Sequence, residues 1–212
     1  VDMLPPDEKT LKTYGSDENA DIYKLKLESN GYQHQYSRNC LQRNNGNGIN
    51  FSDVALMAGI AATDWSWCPL FADFDNDGMK DIFITSGIVK RPVDLDFVSN
   101  ELQQKRGFSQ TDAHDKEAIN AMPDGSSHPF FFKNMDGISF RDMSTEWGTG
   151  SMKGYYNGAA YADLDNDGDL DIIMNPINEK AVLLRNDIHT LNHFIQLQFK
   201  GDKGNSKGIG VK

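Results

Sequence analysis

The segment Phe71-Ala72-Asp73-Phe74-Asp75-Asn76-Asp77-Gly78 returns ninety positions later as Tyr161-Ala162-Asp163-Leu164-Asp165-Asn166-Asp167-Gly168. A chain that repeats itself folds as repeated units. Further blocks mark the same repeat. Gly48-Ile49-Asn50-Phe51-Ser52-Asp53 pairs with Gly137-Ile138-Ser139-Phe140-Arg141-Asp142, and Gly59 pairs with Gly148, both at an offset of 89. A third marker is Leu41-Gln42-Arg43-Asn44, then Phe131-Phe132-Lys133-Asn134, then Leu183-Leu184-Arg185-Asn186. Its asparagines lie 90 and then 52 residues apart, and the 38-residue difference equals the stretch 91–128. The repeat is therefore about fifty residues long, with one insertion in its first copy.

Local patterns within the repeat read as strands. Tyr23, Leu25 and Leu27 alternate with polar neighbours, the period of a half-buried strand. Asp81-Ile82-Phe83-Ile84-Thr85 and Asp171-Ile172-Ile173-Met174 are short and apolar, as strands buried on both faces are. Asn44-Asn45-Gly46-Asn47-Gly48 is rich in residues that tolerate positive φ and predicts a tight hairpin turn. Repeats of this length built from short strands and turns predict an all-β fold of β-propeller blades. There is material for about three to four blades, so the chain is expected to be part of a longer one. The insertion reads as two helices, Asp94 to Arg106 and Ser109 to Met122. Packing over a neighbouring blade and partner recognition are both open roles for it.

Each aspartate loop has the form D-x-D-x-D-G-x-x-D. Carboxylates at positions 1, 3 and 5 converge when the backbone coils around a hard cation, and glycine at position 6 allows the sharp turn. The predicted ligands are Asp73, Asp75, Asp77, the Met79 carbonyl and Asp81 in one loop. In the other they are Asp163, Asp165, Asp167, the Asp169 carbonyl and Asp171. Oxygen-only donors favour Ca²⁺, one ion per loop. An EF-hand is excluded, because position 12 is Ile84 or Met174 rather than Glu. A plain surface turn would not gather at least four carboxylates, which repel one another by up to about 4 kcal/mol per close pair. Waters would complete the shell, with affinity in the range of extracellular modules, about 10⁻⁴ to 10⁻³ M.

These loops, the Phe-Ala-Asp and Tyr-Ala-Asp before them and the Gly-x-x-Phe-x-Asp blocks resemble FG-GAP/VCBS repeats, which are similar to the integrin α-subunit propeller. Asn192-His193-Phe194-Ile195 through Gly208-Ile209-Gly210 resembles the opening of an ASPIC/UnbV domain. The resemblance implies a propeller over 1–190, with the insertion at 91–128, and a truncated second domain over 191–212. It also implies Ca²⁺ in hairpin loops and an extracellular or cell-surface setting. The Trp-Ser-Trp block and the insertion resemble those of large surface lipoproteins of Bacteroidetes-type bacteria, which implies outer-membrane attachment.

Other chemistries find little support. Asp and Glu outnumber Lys and Arg by 31 to 21, for a net charge of −10, which disfavours nucleic acid as a partner. No apolar run is long enough to span a membrane. No nucleophile elbow, phosphate loop or zinc-type spacing is present. Cys40 and Cys68 could pair, but two unlinked thiols are expected. His34, His114, His128, His189 and His193 are scattered and form no metal pair. Trp65 and Trp67 would share a strand face, in core packing rather than on a sugar. The function expected is a non-catalytic binding or scaffold module with a protein or glycan partner at the cell surface. An accessory propeller of a carbohydrate-active or phosphodiesterase-type enzyme is the alternative.

Overall fold

The computed structural model of the chain describes residues 1–15, 20–33, 36–104, 112–188, 194–195, 197–201, 204–208 and 210. In chain order its elements are α1 (Glu8–Thr13), α2 (Ala20–Asn30), β1 (Gln42–Asn44), β2 (Phe51–Asp53), α3 (Ala55–Ala58), β3 (Ser66–Ala72), β4 (Asp81–Ser86), β5 (Ile88–Lys90), α4 (Leu95–Gln104), α5 (Asp112–Ala121), β6 (Asp124–Gly125), β7 (Phe130–Asn134), β8 (Phe140–Asp142), β9 (Tyr156–Ala162), β10 (Asp171–Pro176) and β11 (Val182–Leu184). Strands carry the core, and the fold is all-β in character.

Two larger antiparallel sheets have the orders β3-β4-β7-β8 and β11-β10-β9, while β1-β2 and β5-β6 form two-stranded ribbons. Each aspartate loop closes a hairpin, 73–81 between β3 and β4 and 163–171 between β9 and β10. The sheet and the sequence repeat are out of phase. The Phe131–Asn134 marker and the Gly137–Asp142 block of the second repeat supply β7 and β8, which complete the sheet begun by β3 and β4 of the first. β10 passes to β11 through 177–181, whereas β4 reaches β7 only through the insertion.

That insertion contains the two expected helices, α4 and α5, and ends in β6, which pairs with β5. Arg91 anchors its base through a largely buried ion pair with Asp64, with Nη1 2.9 Å from Oδ1. Lys90 Nζ donates to the carbonyls of Asn120 and Met122, at 2.9 and 3.0 Å.

The core has two layers. On one side of the first sheet, Ile82, Ile84, Phe130 and Phe132 pack with Ala55, Ala58 and Ile60. On its other side, Phe83 and Phe131 join Phe74, Ala72, Tyr156, Ile172 and Met174, which locks the two sheets together. Alternation along a strand sends neighbouring side chains to opposite faces, so β4 is buried throughout because both of its faces are covered.

Several sequence expectations need correction. Tyr23, Leu25 and Leu27 fall in helix α2, not in a strand. Lys, Leu, Ala and Glu are good helix formers, Lys24 and Glu28 stand at i,i+4 spacing, and Leu25 is 58 % exposed, with no sheet against it among the described residues. β10 is not buried on both faces, because Ile173 is 46 % exposed and no further sheet covers it among the described residues. The loop at 45–50 is a hairpin connection wider than a two-residue turn, between Asn44 and its partner Phe51. Trp65 precedes β3, and Trp67 is exposed and donates Nε1 to the Gly87 carbonyl at 2.8 Å; neither indole joins a buried cluster. Cys40 and Cys68 are both free thiols. His34, His189 and His193 lie outside the described residues, as does the side chain of His114. Of 191–212, the described residues hold no helix or strand.

Candidate metal centres

Both aspartate loops are built by the same local rules. Gly78 and Gly168 adopt φ of +89° and +95°, the left-handed region that a side chain disfavours. Asn76 and Asn166, at loop position 4, also have positive φ, 55° and 62°, which asparagine tolerates best among residues with side chains. The coil is then tied from inside. Asp73 accepts from the backbone N–H of Asp77 at 3.0 Å and of Gly78 at 2.8 Å. Asp163 accepts from Gly168 at 3.2 Å.

The result is convergence. One carboxylate oxygen from each of Asp73, Asp75 and Asp77 lies within 4.8 Å of the others, and the same holds for Asp163, Asp165 and Asp167. Two oxygens in these triads are buried without any hydrogen-bond partner, Asp75 Oδ1 and Asp163 Oδ1. Asp75 is only 6 % exposed. Buried polar atoms are seldom left unpaired, so an orphan carboxylate oxygen in each triad fits a cation ligand. The donor set is all oxygen, as a hard cation requires.

Position 9 has a role that the spacing alone did not reveal. Asp81 Oδ2 accepts from Phe74 N at 3.0 Å and Oδ1 from Asn134 N at 2.9 Å. Asp171 repeats the pattern with Leu164 N at 3.0 Å and Asn186 N at 2.9 Å. Each closing aspartate thus staples its loop to the marker asparagine of the neighbouring strand. Asn134 and Asn186 return a bond from Nδ2 to the carbonyls of Lys80 and Leu170. A signal for this was present in the sequence. Asp81 and Asn134 are 53 apart and Asp171 and Asn186 are 15 apart, a difference equal to the insertion.

The two loops touch. Asn76 Nδ2 donates to Asp169 Oδ1 at 2.6 Å, and Asn186 Nδ2 to the Phe74 carbonyl at 2.7 Å. The rings of Phe74 and Tyr161 meet edge to face with centroids 6.0 Å apart. Beside them an open cleft of about 390 Å³ is floored by Phe131, Trp147 and Ile172 and rimmed by Glu146 and Arg185. Phe194 lies against Gly168, where a Cβ would collide with its ring.

Electrostatics follow from this crowding. Desolvation and the neighbouring Asp167 hold the carboxyls of Asp165 and Asp169 above the usual range. Burial pushes the Asp81 carboxyl up to about 6, with Asp77 and Asp73 adding to the rise against two backbone N–H bonds that favour the anion. A carboxyl with a raised folded-state pKa keeps its proton when the unfolded chain has lost it. Stability from this group is therefore highest below the ordinary value near 3.8 and is lost as pH rises through about 6. In metal-free buffer, Asp81→Asn is expected to flatten the decline of stability across that window by about 2 kcal/mol. Urea melts from pH 4 to 7 measure it, and an unchanged slope would contradict the assignment.

Residues 16–84 match the family model of the FG-GAP-like repeat, a stretch that includes the first aspartate hairpin and reaches upstream into α2. No curated protein matches the chain. No helix among the described residues is long and apolar enough to cross a membrane.

Proposed function

We propose that this chain, FG-GAP-like over residues 16–84, is a segment of a calcium-dependent β-propeller that acts as a non-catalytic binding or scaffold module outside the cell. The observation that carries the proposal is the pair of equivalent carboxylate triads, each with a buried oxygen lacking a partner. Ca²⁺ would be held by Asp73, Asp75, Asp77, the Met79 carbonyl and Asp81, and by Asp163, Asp165, Asp167, the Asp169 carbonyl and Asp171. A bound ion would supply positive charge that offsets the mutual repulsion of these groups. The FG-GAP-like match supports the extracellular setting.

Two antiparallel sheets packed face to face through one shared core support adjacent propeller blades. The assignment of 1–190 to the propeller and of 191–212 to the start of an ASPIC/UnbV-like domain belongs to the same proposal, as does attachment to a bacterial surface. The partner is a protein or glycan. Release of hydrolysis or elimination products from a glycan panel would contradict the non-catalytic reading.

Calcium at fifty times its dissociation constant stabilises by roughly 2 kcal/mol per site. Two sites should raise the melting temperature by on the order of 10 °C relative to EGTA. Identical melting curves in calcium and in EGTA would overturn the proposal.

A further inference from the structure

We propose that Lys133 is a resident counter-cation of the loop 73–81, that a metal ion must displace it, and that the loops therefore fill in order, 163–171 before 73–81. The inference rests on the calcium reading of both loops and goes beyond it by making the two sites unequal.

The ammonium of Lys133 is ion-paired with two members of the first triad, Asp75 and Asp77, the latter through Oδ2 at 2.9 Å. β7 lies beside β4 with Phe132 opposite Ile82, so the next residue, Lys133, reaches the mouth of the loop. Lys133 is neither wholly buried nor free in solvent, and its bonds are of the charge-assisted kind. They use oxygens of the same carboxylates that would hold the metal.

The second loop differs in both charges that matter. Its marker residue at the equivalent place is Arg185, and the Arg185 guanidinium pairs instead with Asp187, with Nη2 2.8 Å from Oδ1. Among the described residues, no ion pair ends on Asp163, Asp165 or Asp167. At position 7, moreover, the second loop carries Asp169 where the first carries Met79. The first loop is thus partly neutralised by direct ion pairs without metal, whereas Arg185 reaches Asp165 and Asp167 only by longer-range attraction. A divalent ion entering the second loop gains attraction at once. An ion entering the first finds Asp75 Oδ1 open but meets the like-charged Lys133 ammonium on Oδ2 of Asp75 and Asp77, which its charge must drive off.

Calcium titration by calorimetry tests this on the whole chain. The wild type should show two steps, with the weaker one at 73–81; Asp163→Asn should remove the tighter step and so assign it. Lys133→Met should tighten the weaker step by about tenfold and leave the other within about twofold. The same substitution should lower the melting temperature in EGTA, where the carboxylates lose their counter-cation. Two steps of which neither responds to Lys133→Met would overturn the proposal while leaving calcium binding intact. Absence of any calcium step in the wild type would sink both. A measurement on the wild type needs no variant to fold: amine labelling followed by mass spectrometry should modify Lys133 faster in calcium than in EGTA. Equal rates would overturn the proposal.

Discussion

Phe83→Ala is expected to cost about 3–5 kcal/mol and to lower the melting temperature by roughly 10 °C. Phe83 is fully buried, and its ring centroid lies 4.7 Å from that of Phe131. It also stands in the cluster that joins the two sheets through Ile172 and Met174. Truncation leaves a cavity at that junction, and the surrounding sheets can relax only in part. The same change at Ile173, ninety positions on and equivalent in the repeat, should cost less than about 1 kcal/mol because that side chain is half exposed. Urea unfolding of the two variants makes the comparison. Equal losses would mean that the outer face of β10 is covered as fully as the inner face of β4.

Asp81→Ala carries the second large effect, about 2–5 kcal/mol in metal-free buffer. It leaves the buried N–H groups of Phe74 and Asn134 without acceptors, and each buried unpaired donor costs its full desolvation. Asp75→Asn provides the contrast. Among the described residues Asp75 Oδ1 accepts nothing, and in EGTA its replacement forfeits only the Lys133 pair on Oδ2 and strands no buried backbone N–H, so it should cost less than Asp81→Ala while weakening calcium binding. The pair separates the stapling aspartate from the converging ones. Were both variants equally unstable without metal, position 9 would have no stapling role.

The loops were legible in the sequence because their chemistry is local. Nine residues fix where Asp73, Asp75 and Asp77 converge, and the glycine at position 6 fixes the turn. The insertion was legible for a different reason: two copies of one repeat differ in length by it. What the sequence concealed depends on contacts between distant segments. Lys133 meets Asp75 across more than fifty residues. The assignment of β7 and β8 to the sheet of β3 and β4 likewise needs pairing across the insertion. In α2 the polar alternation around Leu25 mimics a strand, but among the described residues no strand lies beside it to reward that pattern, and helix propensity prevails. Ile173 reads like Phe83 in sequence and differs only in what stands outside it.

Counting bound calcium tests the two-site proposal without recourse to stability. The purified chain, equilibrated with calcium at roughly fifty times the dissociation constant of the weaker site and passed rapidly through a desalting column in the same buffer, should carry two excess Ca²⁺ per chain by elemental analysis. Asp75→Asn and Asp163→Asn should each reduce that number to one, and the double variant to none. A wild-type chain that holds no calcium above the double variant would contradict the account.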